Sequence, residues 1–269
     1  MRVQLHTTLV LSRAVPIVDA IRCDQVLSSL RPVVIDKYDR LTCLLNTRLD
    51  VIKSITEWIV DESNDRKQVF WLNGLAGSGK STLSTTIAHM MRDLHQLGAF
   101  FFFDRDIPKW NAATMIRTLV HQLALFNTNI GSEVACIMES HPNIASMPLE
   151  FQFKNLLTKQ ALAGVEWSGG PVILVIDALD ECGNADDRKV LMRALSMGFL
   201  ALPPFIRVMV VSRREPDIEM TLASHPTVHS YPLNIDTPIT KDDILGFIQH
   251  CLGEICEVRI YLKLSSDWQ

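Results

Sequence analysis

Residues 69–82 read VFWLNGLAGSGKST, and no other stretch of the 269-residue chain restricts its fold so tightly. A short apolar run stops at glycines 74, 77 and 79, and Lys80, Ser81 and Thr82 then open the helical-looking stretch KSTLSTTIAHMMRDLHQ. Residues 74–81 fit G-x-x-x-x-G-K-[ST], a pattern that works only with a strand before it and a helix after it. Its glycines let the backbone wrap closely around an anion. The N–H groups at the helix N-terminus then face inward and cradle phosphate. On this reading Gly74, Gly77, Ser78, Gly79 and Thr82 belong to the cradle. Lys80 reaches the β and γ phosphates, and Ser81 offers its hydroxyl to Mg2+.

The remaining pattern alternates strand with helix. NTRLDVIKSITEWIVDES reads as a helix with Leu49, Ile52, Ile55 and Ile59 on one face and Asn46 or Thr47 as its cap. GAFFFFD is a strand apolar on both faces, and its four phenylalanines read as core. NAATMIRTLVHQLALF is amphipathic, and LEFQFKNLLTKQAL continues in helix. PVILVIDAL, PFIRVMVVS and TVHSYPLN are further strands, with ADDRKVLMRALSMGF and PDIEMTLAS as helices between them. TPITKDDILGFIQHCLGEI is a final helix carrying Ile244, Phe247, Cys251 and Ile255 on one stripe. Alternation of this kind predicts an α/β fold built on a parallel sheet. In such sheets ligands bind outside the carboxyl ends of the strands.

The residues leaving the third strand therefore matter. Asp177 ends the buried run VILVID, 97 residues beyond Lys80. A carboxylate there can hold Mg2+ opposite Ser81, usually through water. Asp180 and Glu181 follow, and either could orient or deprotonate an attacking water. The fourth strand exits through Ser212, Arg213 and Arg214. Arg105 leaves the second strand, and a structural pair with Asp104 or Asp106 is favoured over a phosphate role.

Together these motifs carry a resemblance. DALDE places a small residue after the aspartate and an acidic pair beyond it, and so looks like a NACHT domain; VVSRREPDI is similar to the (T/S)-S-R-P-E element of that family. CLLNTRLDVIKSITEWI is similar to the C-L-x-G-T-R helix of the fungal, nephrocystin-like NACHT proteins, with Leu45-Asn46 where that group has Pro or Gly. The resemblance covers about residues 43–264 and implies a P-loop NTPase of the STAND class. It implies a three-layer sandwich whose five-stranded parallel sheet runs 5-1-4-3-2, with an N-terminal helical extension. It further implies a signalling switch, held closed by ADP and opened by exchange for ATP, with slow Mg-dependent hydrolysis and oligomerisation with itself or a protein partner. Lys80, Ser81 and Asp177 carry over as the Mg-nucleotide grip, Arg213 as the γ-phosphate sensor with Ser212 beside it, and Thr47 and Arg48 as neighbours of the adenine or ribose. The resemblance places a helical and winged-helix section with a Gly-x-Pro motif downstream. No Gly-x-Pro follows Asp177, so the chain reads as an NTPase core over 43–256, with an extension at 1–42 and the start of a helical region at 257–269.

Other readings remain. A small-metabolite kinase needs an Arg-rich lid, which the sequence does not show. A degenerate fragment could serve as an interaction module alone. TKDD at 240–243 resembles the [NT]-K-x-D guanine motif, but Thr240 with Asp243 also reads as a helix cap, the favoured reading. ATP is favoured over GTP as the nucleotide. A net charge of −4 lacks the basic footprint of a nucleic-acid binder, and no apolar run approaches the roughly 18 residues of a membrane span. The six cysteines include no C-x-x-C pair and read as reduced thiols, so a cytoplasmic protein without a zinc site is expected.

Overall fold

The computed structural model describes residues 22–35, 40–63 and 65–266. Five strands, β1 (Val69–Asn73), β2 (Leu97–Phe102), β3 (Val172–Asp177), β4 (Ile206–Ser212) and β5 (Val228–Pro232), form one parallel sheet in the order β2-β3-β4-β1-β5. The expected order 5-1-4-3-2 is therefore observed. Strands β1, β3 and β4 are buried at every position, which is why they read as mainly apolar rather than alternating, with Arg207 a charged exception within β4. Phe100, Phe101, Phe102 and Phe103 are all core, as their sequence predicts.

The connecting helices are α2 (Leu49–Val60), α3 (Lys80–Asp93), α4 (Ala112–Phe126), α5 (Thr128–Ser140), α6 (Leu149–Leu156), α7 (Ala185–Phe199), α8 (Pro216–Leu222) and α9 (Pro238–Ser266), with residues 22–28 forming α1. Helix α3 lies against β2, β3 and β4, and α4 against β2; α5 and α6 pack on α4, α7 on α6, and α8 on α7. Among the described residues no helix is long and apolar enough to cross a membrane.

Several expectations change. Helix α2 buries Val51, Ile55, Trp58 and Ile59, while Leu49 is exposed. Neither Asn46 nor Thr47 caps it: Arg48 stands at the N-cap with φ 58°, and the Thr47 hydroxyl donates to Leu44 O at 2.7 Å, closing the preceding turn. Helix α5 has no counterpart in the sequence reading, because its polar residues hide the buried Ile130, Val134, Ala135 and Met138. Its Gly131 sits so close to α4 that a Cβ would lie 2.7 Å from Ala124 O. Helix α6 stops at Leu156, short of the expected 162, and the chain turns so that Lys159 N donates to Ala201 O at 2.7 Å. The segment 22–35 is more than an irregular extension. Leu27, Leu30 and Ile35 join the core, and Val33 N donates to Thr118 Oγ1 of α4 at 3.1 Å. Most of the expected extension, residues 1–21 and 36–39, lies outside the described residues. Helix α9 runs unbroken through the boundary expected at 256.

One ion pair sets the position of α8 beside the fourth strand's exit. Arg188 of α7 donates to Asp217 of α8 through Nε at 2.6 Å and Nη2 at 3.2 Å, with both side chains largely buried. Burial pushes the Asp217 carboxyl up, but the Arg188 hydrogen bond and charge outweigh it and hold the group below its ordinary range. A depressed carboxyl adds stability that is fully present above its unfolded value, near pH ~4, and is lost as pH falls through its folded value. Asp217→Asn is expected to cost about 1–2 kcal/mol near neutrality and to flatten the acid limb of the stability profile, as measured by urea melts between pH 3 and 7.

Candidate functional site

The site gathers at the carboxyl ends of β1, β3 and β4. Beyond β1 the loop turns through Gly77 at φ 71° and Gly79 at φ 87°, a left-handed geometry that costs glycine little. Gly79 is then the N-cap of α3. The Ser78 hydroxyl donates to Leu75 O at 2.8 Å and tightens the loop from inside. Lys80 is buried, and its Nζ donates to Gly74 O at 2.9 Å and Leu75 O at 2.6 Å. Burial lowers its pKa, opposed by Asp180, then lowered further by Arg213 and raised by Asp177.

Asp177 ends β3 fully buried. Its Oδ1 accepts from the Ser81 hydroxyl at 3.3 Å and from Ala178 N at 2.8 Å. Ala178 itself takes φ 54°, more tolerable for a residue whose side chain is a single methyl than for a bulky or β-branched one. Burial drives the Asp177 carboxyl upward, countered by Arg40, Ser84, Ser81 and Ala178. Arg40 is a residue that sequence reasoning missed. Its Nη2 lies 3.0 Å from Asp177 Oδ2, and its guanidinium sits 4.0 Å from the centre of the Phe102 ring. It stands in a stretch without periodicity, so no sequence signal could have selected it.

The acidic pair divides. Asp180 is buried, and both its oxygens serve Arg213: Oδ1 accepts from Arg213 N at 3.0 Å and Oδ2 lies 3.2 Å from Nε. Glu181 is more exposed, 3.9 Å from Arg213 Nη2. Burial, then the Asp180 charge, pushes the Glu181 carboxyl up, against Arg105 and Arg213. Ser212 is buried, accepting from Trp71 Nε1 at 2.9 Å and donating to Arg213 O at 2.8 Å. Arg214 pairs with Glu219 of α8. Arg105 reaches Asp180 O at 3.5 Å instead of pairing with Asp104, whose Oδ1 accepts from Asp106 N at 2.8 Å.

Two cavities of about 320 Å3 each share the loop walls Ala76–Gly79 and Thr82. One also exposes Lys80, Ser81, Asp177, Asp180, Glu181, Ser212 and Arg213. The other is bounded by Thr42, Cys43, Leu44, Thr47, Arg48, Ile235, Asp243, Ile244 and Phe247. Arg48 ties the wall of this second cavity to the shared loop: its Nη2 donates to Ser78 O at 3.0 Å, its Nη1 to Thr240 Oγ1 at 3.0 Å, and its backbone N to Asp243 Oδ2 at 2.9 Å. Asn46, where the resembling group has Pro or Gly, takes φ 65°, a conformation that asparagine tolerates better than most residues. The fold thus brings the glycine loop, Asp177, the acidic pair, Arg213, Thr47 and Arg48 to one place. A glycine loop at a helix N-terminus, with hard oxygen donors and a buried lysine beside it, has the chemistry to receive a polyphosphate.

Among the described residues no group of three or more His, Cys, Asp or Glu side chains stands close enough to cage a metal. The Ser81 hydroxyl and the Asp177 carboxylate, 3.3 Å apart, form a donor set suited to Mg2+, which keeps several waters and takes phosphate oxygens as further ligands. Compared with known families, the chain matches the model described as nephrocystin 3, N-terminal, over residues 49–213. No match was found among curated proteins. The matched span runs from the start of α2 to Arg213 and so includes the glycine loop and Asp177.

Proposed function

The chain belongs to the nephrocystin 3 N-terminal family, and from that membership we propose that this domain is a NACHT-type switch that grips a Mg2+-nucleoside triphosphate and hydrolyses it slowly. The observation that carries the reading is the convergence on one cavity of Lys80, the Ser81–Asp177 pair 3.3 Å apart, and Arg213 anchored on Asp180. In the proposed complex the loop amides hold the phosphates, and Lys80 exchanges its carbonyl partners for β and γ oxygens. Ser81 and Asp177 would hold a Mg2+ ion, which would supply neutralisation of phosphate charge. Arg213 contacts the γ-phosphate. Glu181, not Asp180, takes the proton of the attacking water, because the Asp180 oxygens are occupied by Arg213.

A switch also needs a part that reads the nucleotide. Arg48 ties the loop at Ser78 to the first turns of α9, so occupancy of the loop can be felt by that helix and by whatever protein partner or second copy it meets. The test is to purify the chain, identify co-purifying nucleotide by mass spectrometry, and measure phosphate release. Tightly held diphosphate with turnover well below the ~10 s−1 median of enzymes supports the switch. Rapid phosphoryl transfer to a small-molecule acceptor would replace it with a kinase, and a chain that binds no nucleotide would leave only an interaction module.

A further inference from the structure

The cavity on the far side of Arg48 holds a carboxylate that phosphate chemistry does not use. Residues 240–243 read TKDD, and the cap expected of Thr240 is formed three residues earlier: Thr240 N donates to Thr237 Oγ1 at 3.1 Å, and α9 starts at Pro238. Thr240 is buried instead, accepting from Arg48 and donating to Asn234 O at 3.3 Å. One turn on, Asp243 lines the cavity together with Leu44, Ile244 and Phe247. Ile244 and Phe247 are exposed and Leu44 is half-buried, an apolar wall that a flat heterocycle would cover.

The orientation of the carboxylate is fixed from behind. Asp243 Oδ2 accepts from Arg48 N at 2.9 Å, while Oδ1 takes no hydrogen bond among the described residues. Because the same Arg48 donates to Ser78 O, one residue sets the spacing between this carboxylate and the phosphate loop. A carboxylate only accepts hydrogen bonds. Guanine presents adjacent donors to it, N1–H and the 2-amino group. Adenine presents its 6-amino group beside N1, whose lone pair would face the carboxylate.

We infer that Asp243 is the base-selecting residue of this site and that it favours guanosine over adenosine nucleotides. The inference rests on the nucleotide reading and departs from the adenine preference that the family resemblance suggests. Asp243→Asn makes a distinctive change. The asparagine carbonyl keeps the bond from Arg48 N, which turns its amino group toward the base. That donor opposes the 2-amino group of guanine but is accepted by xanthine, which keeps N1–H and carries a carbonyl at position 2 in place of the amino group.

The test is a fluorescence titration of the full chain with N-methylanthraniloyl GDP, ADP and XDP in Mg2+. The unaltered chain should bind GDP about tenfold or more tighter than ADP, and D243N should lose about tenfold for GDP while XDP becomes the better ligand. Equal or tighter binding of ADP by the unaltered chain overturns the base assignment while leaving the phosphate grip intact. So does a GDP:ADP:XDP ratio that D243N leaves unchanged. Absence of binding by all three to the unaltered chain overturns the nucleotide reading itself, and the base assignment with it.

Discussion

Lys80→Ala is expected to weaken Mg2+-nucleotide binding by at least ~100-fold, because a charge-assisted hydrogen bond contributes about 1.5–3 kcal/mol and Lys80 is placed to make two. In the free protein those bonds go to Gly74 O and Leu75 O, which hold the ammonium buried at the mouth of α3. Carbonyls are weaker partners for a cation than phosphate oxygens, so the side chain is poised to exchange them. Among the described residues lining this cavity, alanine removes the one lysine and leaves Arg213, already committed to Asp180, as the remaining cation. Fluorescent-nucleotide titration measures the loss, with far-UV circular dichroism to verify that the sheet survives. Affinity within a few-fold of the unaltered chain would remove the loop from the site.

Glu181→Gln is expected to slow phosphate release ~10²- to 10³-fold with nucleotide affinity nearly unchanged, the range typical of a lost general base. Glutamine keeps the shape and hydrogen-bonding reach but cannot take a proton. Asp180→Asn should behave differently. It disturbs the carboxylate that holds Arg213 by its backbone and Nε, so binding and turnover should fall together. The pH profile provides a second readout. Burial and the adjacent Asp180 charge raise the Glu181 pKa, and only the ionised form accepts a proton. Turnover should therefore fall as pH drops through a value above the ordinary glutamate range, and E181Q should abolish that limb. If E181Q hydrolyses at the full rate, or keeps the acid limb, proton transfer belongs to another group.

Much of this site was legible before any coordinates. A glycine loop bounded by strand and helix, an acidic residue ending a buried apolar run and an arginine ending the next are local patterns, and parallel strands deliver their carboxyl ends to one edge. The roles within the acidic pair were not legible. Asp180 and Glu181 are adjacent and chemically alike, and only the side chain that Arg213 occupies separates them. Arg40 was invisible because its partner, Asp177, is far along the chain and nothing repeats around it. Helix α5 escaped because its apolar stripe is short and interrupted by Gly131, a residue explained only by its contact with α4.

The TKDD segment marks the same limit. As sequence it fits either a cap or a base-reading motif, since threonine and aspartate at that spacing satisfy both. The choice depends on where α9 begins and on what Arg48, almost two hundred residues earlier, does with its backbone N–H. By itself the sequence determined the parallel α/β sheet and the glycine loop between strand and helix, because each follows from periodicity or from backbone chemistry within a few residues, while the strand order followed from the family resemblance. Only the tertiary structure decided which carboxylate remains free, which cation guards Asp177, and what faces the second cavity. Those depend on pairings between residues distant in the chain, where side-chain chemistry names candidates and packing alone brings two of them together.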